Sequence, residues 1–343
     1  VAGDTAVAAP SKRATSSYTV DCSMGPVLSF NTYNDIFHFL GEPTYGEIEG
    51  EQGDWEFVIT KLTEDSIFVK GKKWENEMVF TRLADDVDWT SYLDSIADVQ
   101  KRLGVNYSVG NSSDASKMVE INSATRRILS RTADGQVVEQ PFYVTTTGIH
   151  AVNEPVALGD DKAQDFLVSK TGVMTAKDNE ALTLKSYAPG IDTWVGDWTL
   201  SAMQGSCDMT ISKVEDQENM LKGTFTTCGY TYNIGLSFNP ETGALNLPSQ
   251  LIDDPSGRYP ALWLMNADLT QGMLLGQGGM NIVWHGVSQE GDFEDDGTLA
   301  SEGYASDTFV ALACTTDGQP IKENGQYVFV FEWYYLSNLT PNK

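Results

Sequence analysis

Short runs in which apolar and polar residues alternate dominate the first half of the chain. They are rich in β-branched and aromatic side chains and are bounded by Gly, Pro, Asn or Asp. A period of two with turn residues at both ends is typical of β-strands. Before residue 190 this pattern predicts strands over residues 17–24, 27–31, 55–61, 66–70, 78–83, 117–122, 125–131, 137–146 and 181–187.

One segment follows a helical period instead. Its apolar side chains recur every three or four residues, and they are Trp89, Tyr92, Leu93, Ile96, Val99 and Leu103. Asp88 is a suitable N-terminal cap, and Lys101 and Arg102 followed by Gly104 are typical of a helix C-terminus. We therefore expect one amphipathic helix over residues 88–103, whose apolar side packs on a sheet or closes one end of a barrel.

A breaker at residues 188–190 (Ala-Pro-Gly) divides the chain into two expected domains, residues 1–190 and 191–343. After the breaker, further strands are expected over residues 194–202, 208–214, 220–227, 230–238, 244–247, 260–266, 280–287, 308–315 and 327–337. Their links are short, and residues 239–243 form a strong tight-turn signal. The sequence thus predicts a mainly β fold: two antiparallel β-barrel or sandwich-like domains with one prominent helix.

Two of the four cysteines occupy corresponding positions on either side of a predicted hairpin. If that hairpin is centred between Gln217 and Glu218, Cys207 and Cys228 lie directly opposite each other. Opposed Cβ atoms lie roughly 4.5–5.5 Å apart, close to the ~3.8 Å of a disulfide. We therefore expect a disulfide and an oxidising compartment. The alternative is two reduced, buried cysteines that act as small hydrophobic residues.

The charge balance excludes several classes of partner. The chain carries 48 acidic and 22 basic residues, for a net charge of −26. Repulsion from phosphate argues against nucleic acid, and against an anionic membrane surface, as a direct partner. No apolar run is long enough for a transmembrane helix, and residues 1–10 lack the pattern of a signal peptide. The chain starts abruptly, and its first residues are small and polar. We therefore expect further sequence upstream, including any export signal or anchor.

Catalytic motifs are absent from the sequence. The three histidines, His38, His150 and His285, stand in unrelated contexts, and no Gly-x-Ser-x-Gly, P-loop or dinucleotide fingerprint occurs. No cofactor is therefore expected, and a function without catalysis is favoured. His285, which follows Trp284, is the best site candidate among the histidines.

Aromatic side chains are concentrated in the second expected domain and supply candidate ligand-binding residues. Aromatic faces stack on sugar rings or apolar ligands, and pockets are often lined by them. Core packing is the simpler explanation for most aromatic residues. The candidates are Trp263, Trp284, His285, Trp333 and Tyr335.

The densest acidic cluster is a weak candidate for a metal site. Asp292, Glu294, Asp295 and Asp296 offer several carboxylate oxygens within a short stretch, and Ca²⁺ prefers such ligands. The cluster lacks the spacing and the terminal glutamate of an EF-hand loop. A solvated loop tip is the competing interpretation.

Three stretches near the start resemble a known family. They are residues 25–38 (GPVLSFNTYNDIFH), 53–58 (GDWEFV) and 67–72 (IFVKGK). Over about residues 17–83 the chain resembles an uncharacterised family of Bacteroidetes lipoproteins, encoded beside genes for SusC/SusD-type outer-membrane nutrient uptake. The resemblance implies an exported protein, anchored by lipid at the outer membrane and facing the periplasm or the cell exterior. It carries over no catalytic residues, and the usual anchoring cysteine belongs to an upstream segment.

These observations together favour a non-enzymatic envelope lipoprotein. It would be an accessory binding protein that captures a glycan or peptide nutrient, with SusC/SusD-type proteins as expected partners. One alternative is a carboxylate- or metal-dependent hydrolase of the same uptake locus, which requires acids that converge in one cleft. A second alternative is a structural subunit of a surface complex, which requires a broad exposed apolar patch. The sequence leaves the ligand and the oligomeric state open.

Overall fold

The structure is a computed structural model. It describes residues 11–22, 25–33, 35–36, 38–43, 48–50 and 52–342. Across these described residues the protein is mainly β, with 49% strand and 8% helix, and it contains two closed eight-stranded antiparallel barrels and a single α-helix. The predicted fold class is therefore confirmed. Our expectation about the start of the chain concerns residues 1–10, which lie outside the described residues.

The first five strands form an antiparallel sheet in chain order. They are β1 (Tyr18–Cys22), β2 (Pro26–Phe30), β3 (Glu56–Leu62), β4 (Ser66–Gly71) and β5 (Glu77–Thr81). Phe57 is fully buried, and its ring makes edge contacts with Phe30 and Phe80 at centroid distances of 6.4 and 5.6 Å. Asp54, from the GDWEFV stretch, accepts hydrogen bonds from the backbone N–H groups of Lys73 (2.8 Å) and Trp74 (3.1 Å). This carboxylate therefore fixes the turn between β4 and β5.

The predicted helix is confirmed as α1 (Trp89–Lys101). Asp88 caps it, because its side chain accepts a hydrogen bond of 2.7 Å from the backbone N–H of Ser91. Leu93, Ile96 and Val99 form its buried side, as their helical spacing predicts. Arg102, at the C-terminal end, donates a 3.1 Å hydrogen bond to the carbonyl of Val168.

The next ten strands build the first barrel and a small hairpin. They are β6 (Asn106–Val109), β7 (Met118–Asn122), β8 (Arg127–Arg131), β9 (Val137–Val144), β10 (Gly148–Ala151), β11 (Val156–Leu158), β12 (Asp161–Ala163), β13 (Asp165–Val168), β14 (Met174–Ala176) and β15 (Asn179–Ser186). The barrel runs β6-β7-β8-β9-β10-β13-β14-β15, and β15 pairs with β6 to close it. Strands β11 and β12 pair only with each other.

The remaining strands build the second barrel and a second sheet. They are β16 (Gly196–Ala202), β17 (Gly205–Lys213), β18 (Met220–Thr227), β19 (Tyr230–Phe238), β20 (Leu245–Pro248), β21 (Gln250–Ile252), β22 (Ala261–Asp268), β23 (Met273–Leu274), β24 (Gly279–His285), β25 (Glu290–Asp295), β26 (Thr308–Cys314), β27 (Lys322–Glu323), β28 (Gln326–Tyr327), β29 (Phe329–Trp333) and β30 (Asn338–Pro341). The barrel runs β16-β17-β18-β19-β20-β24-β25-β30. The sheet runs β21-β22-β26-β29, with β23 paired to β22, and β27 and β28 form a hairpin.

The second barrel and the second sheet share one hydrophobic core. Trp194 is fully buried, and its ring lies 5.6 Å from that of Trp198 and 5.4 Å from that of Trp284. Strand β26 is buried along its whole length and belongs to the same core. Its apolar residues are continuous because both faces of this strand are covered by other parts of the protein. The barrel strands instead alternate buried and exposed residues.

The chain divides into two compact units. The first comprises Val1–Leu103, Tyr143–His150 and Phe166–Thr171, and the second comprises Gly104–Phe142, Ala151–Asp165 and Gly172–Lys343. The second unit contains residues from both sides of residue 190, and the division expected there stays a prediction.

The predicted disulfide is absent, because all four cysteines of the chain are free thiols. Strands β17 and β18 pair with Met209 opposite Phe225, and this register, continued by two residues, brings Thr227 opposite Cys207. Cys228 instead lies in the following turn, with a φ of 52°. The hairpin is therefore centred on Gln217, and a shift of one residue sends a side chain to the other face of the sheet. The cysteines therefore give no support to the inference that the protein resides in an oxidising compartment.

The buried side of α1 gives a direct test of its packing. Ile96→Ala should lower the free energy of unfolding by about 2–5 kcal/mol, because it leaves a cavity at a side chain that is 5% exposed. Urea unfolding followed by circular dichroism and tryptophan fluorescence measures this loss. The control, Asp94→Ala on the exposed side of the same helix, should stay close to the wild type. Equal effects of the two substitutions would contradict the packing described here.

Candidate functional site

A groove of about 680 Å³ lies on the outer face of the second barrel. Its floor comes from β20, β24 and β25, which are neighbours in the barrel. Its other side comes from Val105 and Asn106 at the start of β6 and from residues 186–188 at the end of β15. All of these residues belong to the second compact unit.

Three polar residues stand in one row across the floor of the groove. Asn246 on β20 lies opposite Asn281 on β24, and Asn281 lies opposite Glu294 on β25. The Asn246 Nδ2 donates a 3.2 Å hydrogen bond to Asn281 Oδ1. Side chains alternate along a strand, so their apolar neighbours in sequence face the barrel core while these three face outward. We call Asn246, Asn281 and Glu294 the floor row.

A tight turn shapes the rim of the groove. The side chain of Asn239 accepts a 2.9 Å hydrogen bond from the backbone N–H of Glu241, and Gly243 closes the turn with a 2.7 Å hydrogen bond to the Asn239 carbonyl. Gly243 has a φ of 74°, and a Cβ there would lie 2.3 Å from Pro189 Cδ. Glycine is therefore required at this position. The turn predicted over residues 239–243 is confirmed, and it brings Glu241 to the groove.

The groove is acidic and rich in hydrogen-bonding groups. Its carboxylates are Glu241, Glu294 and Asp296, and no Lys, Arg or His occurs among the described residues that line it. Asp296 is held in place, since it accepts a 2.8 Å hydrogen bond from the backbone N–H of Thr298. Tyr187 adds an aromatic side chain at the wall. Such a surface can hold neutral polar or cationic groups and repels anions.

The turn between β24 and β25 is held by side chains of the first barrel. Asn106 is 8% exposed, and its Nδ2 donates a 2.5 Å hydrogen bond to the carbonyl of Trp284. Its Oδ1 accepts a 2.8 Å hydrogen bond from the backbone N–H of Gly286. A Cβ at Gly286 would lie 2.5 Å from Met118 Sδ, so a larger residue there would require this methionine side chain to move.

A buried carboxylate and an arginine of the first barrel also bind the backbone of this turn. Glu120 on β7 is 4% exposed, and its Oε1 accepts hydrogen bonds from the backbone N–H groups of Val287 (2.5 Å) and Ser288 (3.0 Å). Arg131 on β8 donates a hydrogen bond to the carbonyl of Val287. We call Asn106, Glu120 and Arg131 the turn clamp. Glu120 and Asn106 satisfy backbone groups of the turn, although the buried Nε of Arg131 has no hydrogen-bond partner among the described residues.

His285 lies between two carboxylates beside the turn clamp. Its Nδ1 is 3.2 Å from Glu120 Oε2, and its Nε2 is 3.3 Å from Asp292 Oδ2. The second contact lacks hydrogen-bond geometry and is therefore electrostatic. Both partners are carboxylates, so the arrangement differs from a nucleophile–base pair.

The protonation of this cluster is coupled to burial and charge. Burial opposes a charge on His285, but the hydrogen bond with Glu120 and the charges of Glu120, Asp292 and Glu294 outweigh burial and raise the pKa of the imidazole above 6.5. Burial raises the pKa of the Asp292 carboxyl above its ordinary value, while the nearby His285 lowers it in part. The fold therefore favours the protonated imidazole.

The predicted ligand-binding residues lie outside the described lining of the groove, and their role stays a prediction. Trp284 and Trp333 are 5% and 7% exposed and belong to the hydrophobic core, where the Trp333 ring lies 4.6 Å from that of Phe225 in a tilted arrangement. Trp263 packs beside a glycine, and Tyr335 is 43% exposed with a φ of 47°. None of these four residues, nor His285, is among the described residues that line the groove.

The four acidic metal candidates do not converge. They lie in and just after strand β25, so the competing interpretation of a loop tip is wrong for Asp292, Glu294 and Asp295. Asp295 faces away from the other three and accepts hydrogen bonds from the backbone N–H groups of Ser306 (2.7 Å) and Gly297 (3.0 Å). Across the described part of the chain, no group of three His, Cys, Asp or Glu side chains is placed to hold a metal ion.

Comparison with known protein families gives a match for the N-terminal part of the chain. Residues 1–170 of the 343 match the model of a family described as Domain of unknown function (DUF4302). This match supports a relationship of that part of the chain to an uncharacterised family, as the resemblance implied. No curated protein and no solved structure matches the chain. Most of the groove lies beyond residue 170, and the family model therefore assigns it no role.

Within the described residues, no helix has the length and apolar character needed to cross a bilayer.

The His285 cluster predicts a pH-dependent stability. Because the folded-state pKa of His285 is raised above 6.5, its contribution is complete below about pH 6.5 and is lost as the pH rises through the raised pKa. The difference in unfolding free energy between the wild type and His285→Gln should therefore stay constant below about pH 6.5 and shrink as the pH rises above it. Urea unfolding at a series of pH values measures it.

Glu120→Gln serves as the control for this prediction, because it removes the charge that stabilises the imidazolium while keeping a similar shape. In that background the effect of His285→Gln should depend less on pH. A difference that grows with rising pH in the wild-type background would contradict the assignment.

Proposed function

We propose that the chain is a non-enzymatic binding protein of the bacterial cell envelope that captures a nutrient in the groove. The nutrient would be a glycan or a peptide, and the protein would be an accessory to a SusC/SusD-type outer-membrane uptake system. A lipid anchor encoded upstream would hold it at the outer membrane. The resemblance of residues 17–83 supports this location, and the net charge of −26 is compatible with a strongly hydrated surface.

The floor row is the observation that carries the binding function. It places two carboxamides and a carboxylate side by side in a concave site of about 680 Å³. Asparagine side chains both donate and accept hydrogen bonds but do not transfer protons at neutral pH. Ligand sites commonly combine such convergent polar groups with apolar and aromatic walls, here Phe238 and Tyr187.

The rigid support of the floor also favours binding. Strands β24 and β25 carry Asn281 and Glu294, and the turn that joins these strands is fixed by the turn clamp. A site held in advance loses less conformational entropy when a ligand arrives. The same support would suit a hydrolase, whose additional requirement is a pair of acids that flank the scissile bond.

Loss of one floor amide should weaken binding without unfolding the protein. A ligand found by screening neutral and charged oligosaccharides and peptides by calorimetry should bind Asn281→Ala about tenfold more weakly, because a hydrogen bond contributes roughly 1–1.5 kcal/mol. The control is Asn233→Ala, an exposed asparagine on β19 outside the groove lining, which should bind like the wild type.

Three outcomes would count against this proposal. Equal losses in the two variants would place binding elsewhere. Turnover of the bound ligand would favour the hydrolase alternative. Stable association with a transporter subunit, with no binding of any screened ligand, would favour the structural alternative.

A further inference from the structure

We infer that the groove takes a neutral polyhydroxylated ligand, a glycan whose sugar ring lies across the floor row. This inference rests on the proposed binding function and narrows its ligand class. It follows from the spacing of the floor row, the charge of the lining and the pairing of the floor strands.

The spacing of the floor row suits a sugar ring. Asn246, Asn281 and Glu294 are directly opposed on three neighbouring strands. Opposed side chains on adjacent strands are roughly 4.5–5.5 Å apart at Cβ, which is comparable to the width of a pyranose ring. The hydroxyl groups around one ring can therefore reach neighbouring members of the row at the same time.

The hydrogen-bonding character of the row also suits hydroxyl groups. Each asparagine supplies two N–H donors and an acceptor, whereas the ionised glutamate only accepts. A hydroxyl group both donates and accepts, so vicinal hydroxyls can donate to Glu294 while they accept from Asn281. Tyr187 lines the wall with its backbone N–H bonded to the Asn106 carbonyl at 2.9 Å, and an aromatic side chain at such a wall can stack on a sugar ring.

The charge of the lining excludes anionic sugars. Glu241, Glu294 and Asp296 come from three positions around the groove, and the described lining residues include no basic side chain. A uronate would bring its carboxylate into this negative field with no partner to neutralise it. Like charges placed together in an interface are strongly unfavourable.

The closed barrel disfavours a peptide. Extended peptides usually bind by adding a strand to a free sheet edge. Each floor strand is already paired on both sides: β20 with β19 and β24, β24 with β20 and β25, and β25 with β24 and β30. The floor therefore offers side chains, and no unpaired backbone, to a ligand.

The test compares three sets of probes on the full chain by calorimetry. The neutral set contains hexasaccharides of glucose and of mannose, the anionic set contains oligogalacturonates of the same length, and the third set contains end-blocked uncharged peptides. We expect the neutral sugars to bind at least tenfold more tightly than the uronates and the peptides. Because the exclusion is electrostatic, higher salt should narrow the gap between neutral and anionic sugars.

One substitution checks that Glu294 contributes to this selectivity. Glu294→Gln should lower the affinity for neutral sugars about three- to tenfold, since an amide oxygen accepts hydrogen bonds less strongly than a carboxylate. It should also reduce the difference in affinity between neutral sugars and uronates, since the amide carries no charge. Glu215→Gln changes the net charge equally at an exposed turn and should leave both affinities unchanged.

The outcomes separate this inference from the function on which it rests. Binding of peptides, or of uronates as tightly as neutral sugars, overturns the ligand class and leaves the capture function in place. An unchanged selectivity in Glu294→Gln overturns the role of the floor row. The absence of binding by all three sets overturns the capture function itself.

Discussion

The turn between β24 and β25 depends on side chains from outside its own barrel. Its backbone N–H groups at Gly286, Val287 and Ser288 are satisfied by Asn106 and Glu120 of the first barrel. A buried N–H group without a partner costs about 1–3 kcal/mol, and a buried carboxylate without partners costs more. The turn and the turn clamp therefore require each other, and neither would be stable in this position alone.

Two structural links connect the turn and the turn clamp to the groove: strands β24 and β25, and Asn106. The clamped turn fixes β24 and β25, which present Asn281 and Glu294 on their outer face and Trp284 and Phe293 to the core. Asn106 also lines the groove, and its carbonyl accepts the hydrogen bond that holds Tyr187. One buried asparagine thus helps to fix both the floor and a wall, and His285 lies between the carboxylates of Glu120 and Asp292. A sugar would meet a site whose geometry is already set.

Local sequence patterns predicted the fold well. The candidate site could not be predicted in this way, because it depends on which strands pair with each other. Alternation and capping are short-range signals, so the main strands and α1 with its cap Asp88 followed from sequence. Strand β25 was missed because its four acidic residues resemble a loop. The disulfide prediction was wrong because the register of β17 and β18 differs by one residue from the expected one, and no local sequence signal reveals the register. Asn246 and Asn281 are single polar residues within apolar strands, and only the pairing of β20 with β24 brings them together. The aromatic candidates Trp284 and Trp333 lie in the core, and their role in ligand binding stays a prediction.

Amide hydrogen exchange at the turn tests the central claim most directly. A hairpin turn at a surface normally exchanges quickly, since its N–H groups face water. If the turn clamp is real, the amides of Gly286, Val287 and Ser288 should be strongly protected in the wild type. In Glu120→Ala the protection at Val287 and Ser288 should fall, while the β16–β19 strands remain protected. Rapid exchange of these three amides in the wild type would contradict the account.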